Sequence, residues 1–292
     1  MRMLVFGGAG QAGNEFVRIA RAVGVEILAP SHAEVDVRCA ERVFEAIAAS
    51  KADAVVNLTA FHVLEECERS FLDALAVNAA AVRTMAQASR RSGARLMTVS
   101  TDYVFNGRAA SPYDEEAPPK PIQAYGISKL AGELGALAEA GDLAFVARTC
   151  GLYGRAGSRS RGGNFVERRL TELAANRECE VGSDLRCTPT SARAFAEALF
   201  ALATKREVPG GIYHLTCEGD CSWAEFTEEI ARQSHAACRV IGVDRRGDYG
   251  PVRRPAYSVL ANRKAAALGI RLPHWSEDLA RYLAERDRGS EV

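Results

Sequence analysis

The chain has 292 residues, 48% hydrophobic and 25% charged, which is the composition of a globular protein and excludes a disordered one. Its 37 Lys and Arg balance its 37 Asp and Glu, so no overall field favours nucleic acid or an anionic membrane. No apolar run reaches the ~18 residues that span a bilayer, and the N-terminus lacks the features of a signal peptide. We therefore expect a cytoplasmic protein.

The first half of the chain alternates short apolar runs with longer helical patterns. In chain order, strands are predicted at 3–6, 25–28, 54–58, 95–100 and 143–147, and helices at 13–23, 40–49, 71–92 and 125–140. Repeated strand–helix units of this kind predict a parallel sheet covered on both faces. The predicted fold class is therefore a Rossmann-type, doubly wound α/β fold.

After Arg148 the alternation becomes less regular. Residues 154–163, rich in Gly, Ser and Arg, predict a mobile loop. Helices are expected at 164–175, 191–204, 223–234, 263–268 and 276–286, with a strand at 211–216 that returns to the sheet. We predict a dinucleotide-binding domain at 1–150, to which 188–216 returns, and a smaller substrate-binding lobe at 151–187 and 217–292.

A GxxGxxG pattern, residues 7–13, follows the first predicted strand and opens the first helix. Glycines there allow a tight turn, close approach to a pyrophosphate and close helix packing. The helix N-terminus favours the negative phosphates. The pattern predicts dinucleotide binding, with four residues of the turn at the cofactor: Gly7, Gly10, Gln11 and Ala12.

The loop after the second predicted strand bears on the choice of cofactor. It lacks the acidic residue that binds a ribose 2′-hydroxyl and selects NAD. This favours NADPH over NADH, with Ser31 and His32 near the 2′-phosphate, although His32 is equally well explained as an exposed loop histidine. Asp36, followed by Val37, is either a contact to the adenine edge or a turn aspartate.

Tyr125 and Lys129 are four residues apart, hence on one face of a predicted helix, and this helix follows a strand that ends near Thr101. A phenol is a poor acid at neutral pH because its free pKa is about 10, and a nearby cation favours the phenolate. We expect Lys129 to tune Tyr125 and to bind the nicotinamide ribose, and Thr101 to hold a substrate carbonyl. Tyr125 would then protonate the developing alkoxide as hydride arrives.

Three motifs together resemble the extended short-chain dehydrogenase/reductases, and within them the dTDP-4-dehydrorhamnose reductase family. They are the GxxGxxG turn, the segment STDYVFNG at 100–107 and the segment YGISKLAGE at 125–133. Further matching segments are NLTAF at 57–61, VN at 77–78, RT at 148–149, TPT at 188–190 and RPAYS at 254–258.

The resemblance implies reduction of the 4-keto group of a nucleotide-linked 6-deoxyhexose with NADPH or NADH, as in dTDP-rhamnose biosynthesis. It also implies a possible homodimer and these residue roles: catalysis by Thr101, Tyr125 and Lys129; cofactor contacts by Asp36, Leu58, Thr59, Ala60 and Asn78; sugar contacts by Asp102 and Tyr103; and a diphosphate site at Asn164 and Arg254. A surface salt bridge explains Arg254 equally well. The basic clusters at 159–161, 245–246 and 253–254 are either solvated surface or phosphate contacts.

The chain departs from the family pattern at several positions. Gly151 stands where the family commonly has Trp, which opens a pocket wall and leaves the exact sugar undetermined. His62 and Glu65 replace Thr and Asp of better-known members, and His62 either contacts substrate or packs in its loop. Glu15 matches one Mg²⁺ ligand position of some members, but the other ligands have no counterpart we can place, so we predict no catalytic metal.

The eight cysteines also give no indication of a metal site. They are scattered without a CxxC pair, and Cys217 and Cys221, the closest two, have no companion Cys or His at zinc spacing. Free buried thiols are expected.

Two other functions fit the same fold. A sugar-nucleotide epimerase or dehydratase with bound NAD shares the triad, but such dehydratases use an Asp-Glu pair after the active-site Thr, and here Asp102 is followed by Tyr103. The other alternative is a non-catalytic regulatory subunit resembling that of methionine adenosyltransferase, against which the intact Tyr125 and Lys129 argue.

Overall fold

The structure is a computed structural model that describes residues 1–157 and 163–289. Its strands are β1 (Arg2–Phe6), β2 (Glu26–Leu28), β3 (Ala54–Asn57), β4 (Arg95–Thr101), β5 (Ala144–Thr149), β6 (Leu152–Tyr153), β7 (Glu178–Gly182), β8 (Arg186–Cys187), β9 (Thr190–Ser191), β10 (Gly211–His214), β11 (Cys221–Ser222) and β12 (Arg239–Val243). Its α-helices are α1 (Gln11–Ala22), α2 (Ala40–Ser50), α3 (Leu64–Arg69), α4 (Phe71–Leu75), α5 (Ala81–Ser92), α6 (Ala124–Ala140), α7 (Phe165–Ala175), α8 (Ala192–Thr204), α9 (Trp223–Gln233), α10 (Arg263–Ala267) and α11 (Trp275–Gly289).

Six strands form the central sheet in the order β10-β5-β4-β3-β1-β2, and every neighbouring pair is parallel. This arrangement confirms the predicted fold class. From β1 the chain continues to β2 on one side and then to β3 on the other, so the order reverses between β1 and β3. In open α/β sheets, ligands bind outside the carboxyl ends of the strands at such a switch point.

The alternation of side chains along β1 shows how both faces of the sheet are covered. Met3 and Val5 belong to one core cluster, with Phe16 of α1 and Phe195 of α8. Leu4 and Phe6 point to the opposite cluster, which α2, α5 and α6 cover. The sheet is therefore buried on both sides, which leaves its carboxyl edge as the place for a site.

A second core lies among the segments that follow β5. It joins Tyr153, α7, β7, α9 and α11, and its buried side chains include Val166, Phe226, Ile230 and Leu279. The predicted strand at 211–216 is confirmed as β10, which pairs with β5 in the main sheet. The division of the chain into two domains at the boundaries given above stays a prediction.

The helix predicted at 71–92 differs from the observed one in its interior. Between α4 and α5 the backbone forms a π-helix, Ala76–Ala80, and α3 precedes α4 without having been predicted. Residue periodicity does not reveal a single turn of π-helix, and such turns are frequent at functional sites. Part of the predicted loop at 154–163, including Arg159 and Arg161, lies outside the described residues.

Two simpler findings complete the fold. All eight cysteines are free and seven are buried, as expected. Within the described residues, no helix has both the length and the apolar character to cross a membrane.

Candidate active site

The turn between β1 and α1 is shaped by its glycines. Gly7 has a positive φ of 79°, and a Cβ on it would lie 2.8 Å from the carbonyl carbon of Leu58. A Cβ on Gly13 would lie 2.1 Å from the carbonyl oxygen of Gly7. The amide of Gly10 donates to the same oxygen at 3.0 Å. The turn is therefore folded against the end of β3, at the switch point of the sheet.

The first turn of α1 contains no acidic residue and begins at Gln11, after the N-cap Gly10. Gln11 donates through Nε2 to the carbonyl oxygen of Leu152 at 3.0 Å, while its buried Oε1 has no hydrogen-bond partner within the described residues. The glycine cradle, the open helix N-terminus and this unpaired acceptor fit the diphosphate and hydroxyl groups of a dinucleotide. Ala12 follows on the same turn.

The loop after β2 holds the residues expected near the adenosine. The amide and the hydroxyl of Ser31 donate to Glu34 at 2.7 and 2.8 Å. Asp36 accepts from Arg38 at 2.6 Å, and these hydrogen bonds lower the pKa of Asp36 to about 2. His32 is exposed. Sequence analysis considered neither Glu34 nor Arg38, because pairings between loop side chains are not visible in a pattern.

Val37 and the segment after β3 form the remaining walls near this edge. Val37 is buried in the core beneath the loop. The amide of Leu58 donates to the carbonyl oxygen of Phe6 at 2.9 Å, and Thr59 donates through its amide and hydroxyl to Asn57. Ala60 is exposed at the end of this segment. These contacts hold residues 58–60 beside the glycine turn.

The turn Asp102–Val104, a 3-10 helix directly after β4, contacts both Thr101 and the start of α6, which carries Tyr125. The amide of Tyr103 donates to Thr101 Oγ1 at 3.1 Å, and the Tyr103 ring meets the Tyr125 ring edge to face at 6.3 Å between centroids. A Cβ on Gly126 would lie 2.1 Å from the Tyr103 carbonyl oxygen. The glycine therefore permits α6 to begin against the turn that carries Thr101.

Lys129 is buried, with 3% of its surface exposed, one helical turn after Tyr125. Burial lowers the pKa of Lys129 to about 8, and the negative charge of Glu133 opposes that shift. At neutral pH the ammonium is thus charged in an apolar environment, where it attracts a nearby phenolate more strongly than in water. Spacing alone predicted the pair but not the burial.

Asn78 lies in the π-helix and joins three parts of the site. Its amide exchanges hydrogen bonds with the backbone of Phe61 at 2.9 and 2.8 Å and donates to Ser128 at 3.0 Å. A Cβ on Gly132 would lie 2.0 Å from the Asn78 carbonyl oxygen. Asn78 therefore fixes α6 against the loop after β3, and its direct contact with a cofactor stays a prediction.

Asp102 is almost fully buried beside Thr101. Its carboxylate accepts from Thr101 Oγ1 at 3.0 Å and from Cys150 Sγ at 3.1 Å, and also from Ser258. Burial raises the pKa of Asp102, and it raises the pKa of the Tyr103 phenol above its ordinary range. Cys150 was missed by sequence reasoning, which had no signal for a thiol at this point. Sugar contacts by Asp102 and Tyr103 stay predictions.

One protein-family model, that of the RmlD substrate binding domain, matches residues 1–288 of this chain. The chain belongs to the RmlD family. The resemblance to dTDP-4-dehydrorhamnose reductases inferred from the sequence is thereby confirmed, and with it the assignment to the oxidoreductases.

Relatives of the RmlD family match over nearly their whole length. The chain is 35% identical to the spore coat polysaccharide biosynthesis protein SpsK of Bacillus subtilis, over 98% of each chain. It is 33% identical to a dTDP-4-dehydrorhamnose reductase of Burkholderia thailandensis, over 94% of this chain and 95% of the relative.

Solved structures agree with these sequence matches. A dTDP-4-dehydrorhamnose reductase of Clostridium acetobutylicum superposes with a TM-score of 0.92 at 30% identity, covering 98% of this chain and all of the other. The enzyme of Bacillus anthracis, solved in complex with NADP, gives a TM-score of 0.89 at 28% identity, covering 97% of this chain and 99% of the other.

Gly151, the departure from the RmlD family pattern, has a positive φ of 55°. A Cβ on it would lie 3.2 Å from the Cα of Pro189 and 3.5 Å from the edge of the Trp223 indole. An aromatic ring from α9 thus packs beside the glycine, although sequence reasoning could not connect positions so far apart. His62 lies on the loop after β3, with Nδ1 3.4 Å from the Ala60 carbonyl oxygen.

The two residues expected at a diphosphate have different surroundings. Asn164 is buried and caps α7, accepting from the Glu167 amide at 3.0 Å, and its amide also donates to Gly154 and Tyr282. These hydrogen bonds use the polar atoms of the Asn164 side chain and give it a structural role. Its contact with a phosphate stays a prediction.

Arg254 has about a third of its side chain exposed. It lies 3.9 Å from Glu65 and over the Tyr249 ring, and its buried Nε has no partner within the described residues. It therefore retains a hydrogen-bond donor, which Asn164 does not. Of the two predicted phosphate contacts, only Arg254 has a donor and a charge to offer.

A bound metal ion would need a cluster of ligating side chains. No group of three or more His, Cys, Asp or Glu side chains that could hold an ion occurs among the described residues. Glu15 is nearly buried and pairs with Arg18 at 2.7 Å.

Proposed function

We propose that this protein reduces the 4-keto group of a nucleotide-linked 6-deoxyhexose with hydride from NADPH or NADH, and that Tyr125 is the proton donor. The observation that carries the proposal is the buried Lys129 on the same helix face as Tyr125, at the point where α6 packs against the turn after Thr101. Names of relatives point to the same chemistry, for example the dTDP-4-keto-6-deoxy-D-glucose reductase of Streptomyces niveus, 32% identical.

The cofactor would lie along the carboxyl edge of the sheet and would supply the hydride. Its pyrophosphate would be held by the turn of Gly7, Gly10, Gln11 and Ala12, and its adenosine by the loop that includes Ser31, His32, Asp36 and Val37. Leu58, Thr59 and Ala60 would line it, and Asn78 would support it from beneath. The NADP complex of the Bacillus anthracis enzyme supports this choice.

The chain's own residues perform the proton transfer. Thr101 holds the substrate carbonyl oxygen in line with the Tyr125 hydroxyl. As the carbonyl carbon accepts hydride, its oxygen takes the Tyr125 proton and becomes a hydroxyl, and the resulting phenolate is stabilised by the Lys129 ammonium. Solvent then returns a proton to Tyr125. Because the pKa of Lys129 is about 8, this stabilisation is present at neutral pH.

The substrate would occupy the space between the two cores. Arg254 brings a positive charge and an unpaired Nε to a diphosphate, and Asn164 is the second predicted contact. The sugar would meet Asp102, Tyr103, His62 and the wall at Gly151, against which the Trp223 ring packs.

A dehydratase or epimerase is less well supported by the geometry. Asp102 is the only carboxylate in the turn after β4, where such dehydratases have an Asp-Glu pair, and it already accepts from Thr101 and Cys150. A regulatory subunit without catalysis would not require a buried ammonium beside Tyr125, since burying that charge costs stability.

A panel of nucleotide-linked keto sugars tests the proposal, with loss of absorbance from NADPH or NADH as the readout. We expect consumption of reduced cofactor with 4-keto-6-deoxyhexose nucleotides and none with the corresponding 4-hydroxy sugars. Absence of consumption across the panel would exclude the reductase. Purified protein that carries firmly bound NAD and interconverts sugars without net consumption would indicate an epimerase instead.

A cytoplasmic location and a homodimer accompany this proposal as expectations from the family. Size-exclusion chromatography with light scattering measures the oligomeric state directly.

A further inference from the structure

The register of the sheet aligns three polar side chains across three strands. Ser100 on β4 is paired with Arg148 on β5, and Arg148 is paired with His214 on β10. All three are buried. This row lies one residue before the Thr101–Thr149 pair, directly beneath the predicted catalytic threonine.

Glu133 of α6 binds this row. Arg148 donates to Glu133 through Nε at 2.9 Å and through Nη2 at 2.6 Å, a two-pronged ion pair in which both side chains are 2% exposed or less. Ser100 donates to the same carboxylate. His214 lies 3.5 Å from Arg148, and burial together with the Arg148 charge lowers its pKa to about 3, so it is neutral.

Glu133 also faces Lys129, four residues earlier on the same helix. Burial favours the neutral amine, and the carboxylate of Glu133 counteracts that effect. Titratable groups on α6 and on the elements packed against it include Tyr125, Lys129, Glu133, Asp102, Tyr103, Arg148, His214, Cys67 and Glu68. Among them, Glu133 is the α6 carboxylate that binds side chains of two strands, Ser100 of β4 and Arg148 of β5.

We propose that Glu133 is a positioning residue of the reductase site, which clamps α6 to the row beneath Thr101 and holds Lys129 in its charged form. The inference rests on the proposed function, because it assigns a purpose to the charge of Lys129. Because the Glu133 carboxylate accepts from Ser100 on β4 and from Arg148 on β5, it fixes α6 along its axis as well as against the sheet, which apolar packing does not do as sharply.

Energetics agree with a positioning role. A buried ion pair is a weak source of stability, because the cost of removing both charges from water offsets their attraction. Apolar side chains of similar volume stabilise such a place equally well. The pair between Glu133 and Arg148 therefore contributes an orientation and a charge next to Lys129 rather than additional stability.

The test must avoid leaving a single buried charge. Glu133→Gln alone leaves Arg148 unpaired and lowers the stability of the fold. The double variant Glu133→Gln/Arg148→Gln removes both charges and allows the two amides to hydrogen-bond. Its matched control is Glu139→Gln/Arg83→Gln, which removes a more exposed ion pair between the same helix and α5.

The first measurement does not depend on activity. Unfolding by urea is followed from pH 6 to 11 in the wild type and in the double variant, each with and without Lys129→Met. Because the folded pKa of Lys129 is below its unfolded value, the Lys129-dependent part of the stability rises with pH from about 8 upward. In the double variant we expect this rise in stability to begin at a pH lower than in the wild type by about one unit or more. In the control variant we expect it to begin at the same pH as in the wild type.

The second measurement uses the reductase assay. In the double variant we expect kcat to begin its alkaline decline at a lower pH than in the wild type. At pH 7.5 we expect kcat to be reduced about tenfold or more and KM to change less than about threefold. The proposal would be overturned if the double variant were folded and both results matched the wild type. These results are the pH at which the Lys129-dependent stability begins to rise and the pH profile of kcat.

The two proposals fail in different ways. If the wild-type protein reduces no keto sugar, the proposed function is lost, yet the unfolding measurement still reports whether Glu133 holds the charge of Lys129. If the wild type is active and the double variant is folded with an unchanged Lys129 titration, only the role of Glu133 is lost.

Discussion

The chemistry of the site depends on a few side chains whose properties differ from those of the free amino acids. Lys129 is the main example, because its burial makes its charge both costly and effective. Tyr125 lies on the same helix, and the Tyr103 ring packs edge to face on it. An ammonium that loses its proton near pH 8 makes the site sensitive to pH in the physiological range.

Replacing Tyr125 by Phe tests the proton donor directly. Tyr125→Phe removes the hydroxyl and keeps the ring against Tyr103, so we expect kcat to fall by about 10²- to 10⁴-fold. Cofactor affinity, measured by quenching of NADPH fluorescence, should change little. Tyr103→Phe is the control on the neighbouring ring, and retention of normal turnover by Tyr125→Phe would refute the assignment.

The pH dependence of the wild type follows from Lys129. The pKa of the buried ammonium is lowered to about 8, so the stabilising charge is present below that pH and is lost as the pH rises through it. We expect kcat/KM for keto-sugar reduction to decline above pH 8. In Lys129→Arg the charge persists at alkaline pH, and the remaining activity should decline only at higher pH. An identical decline in both proteins would assign it to another group.

At the scale of secondary structure, α6 determines the geometry of the site. The helix approaches the turn after β4 at Gly126 and the π-helix at Gly132, where a Cβ would lie about 2 Å from a backbone oxygen in each case. Both contacts are with backbone, which cannot move aside. The helix therefore reaches its position only because these residues have no side chain.

Gly126→Ala and Gly135→Ala form a matched pair on this helix. In Gly126→Ala the new methyl group overlaps the Tyr103 carbonyl, and we expect a loss of about 1–3 kcal/mol in the free energy of unfolding and a large loss of kcat. A Cβ on Gly135 would lie 3.2 Å from the Cβ of Arg83, a contact that a shift of a few tenths of an ångström relieves, and Ala gains about 1 kcal/mol of helix propensity. Chemical denaturation compares them. Equal stability of the two variants would contradict this account of α6.

Across the whole molecule, the sheet core and the second core meet at Trp275. This side chain packs against residues of both clusters, and its ring lies 5.8 Å from the Phe226 ring. Residues from the last part of the chain, such as Ile270 and Leu272, also complete the sheet core. The cleft between the cores, where we propose that substrate binds, depends on this contact.

Removing the Trp275 ring should weaken both cores together. We expect Trp275→Ala to lower the free energy of unfolding by about 3 kcal/mol, because the cavity adjoins both clusters, and to raise KM for the sugar nucleotide. Trp275→Phe retains most of the apolar surface and serves as the control. A Trp275→Ala protein with wild-type stability in urea denaturation would show that the cores are joined elsewhere.

The sequence by itself determined the fold class and the family, and it pointed to the candidate catalytic residues. Hydrophobic periodicity is local, so the strands of the main sheet and most helices that cover it were predictable within a few residues, except α3 and the π-helix. The glycines at 7–13 and the pair of Tyr125 and Lys129 are recognised by their short spacing, which is visible in the sequence alone.

Only the tertiary structure decided what surrounds those residues. The clamp of Glu133 on Arg148, the thiol of Cys150 on Asp102 and the Trp223 ring beside Gly151 each join positions far apart in the chain. The π-helix at Asn78 interrupts the helix for one turn, which the residue pattern of 71–92 does not reveal. Burial, and with it the pKa of Lys129, arises from all neighbours at once, and so no local pattern of residues encodes it.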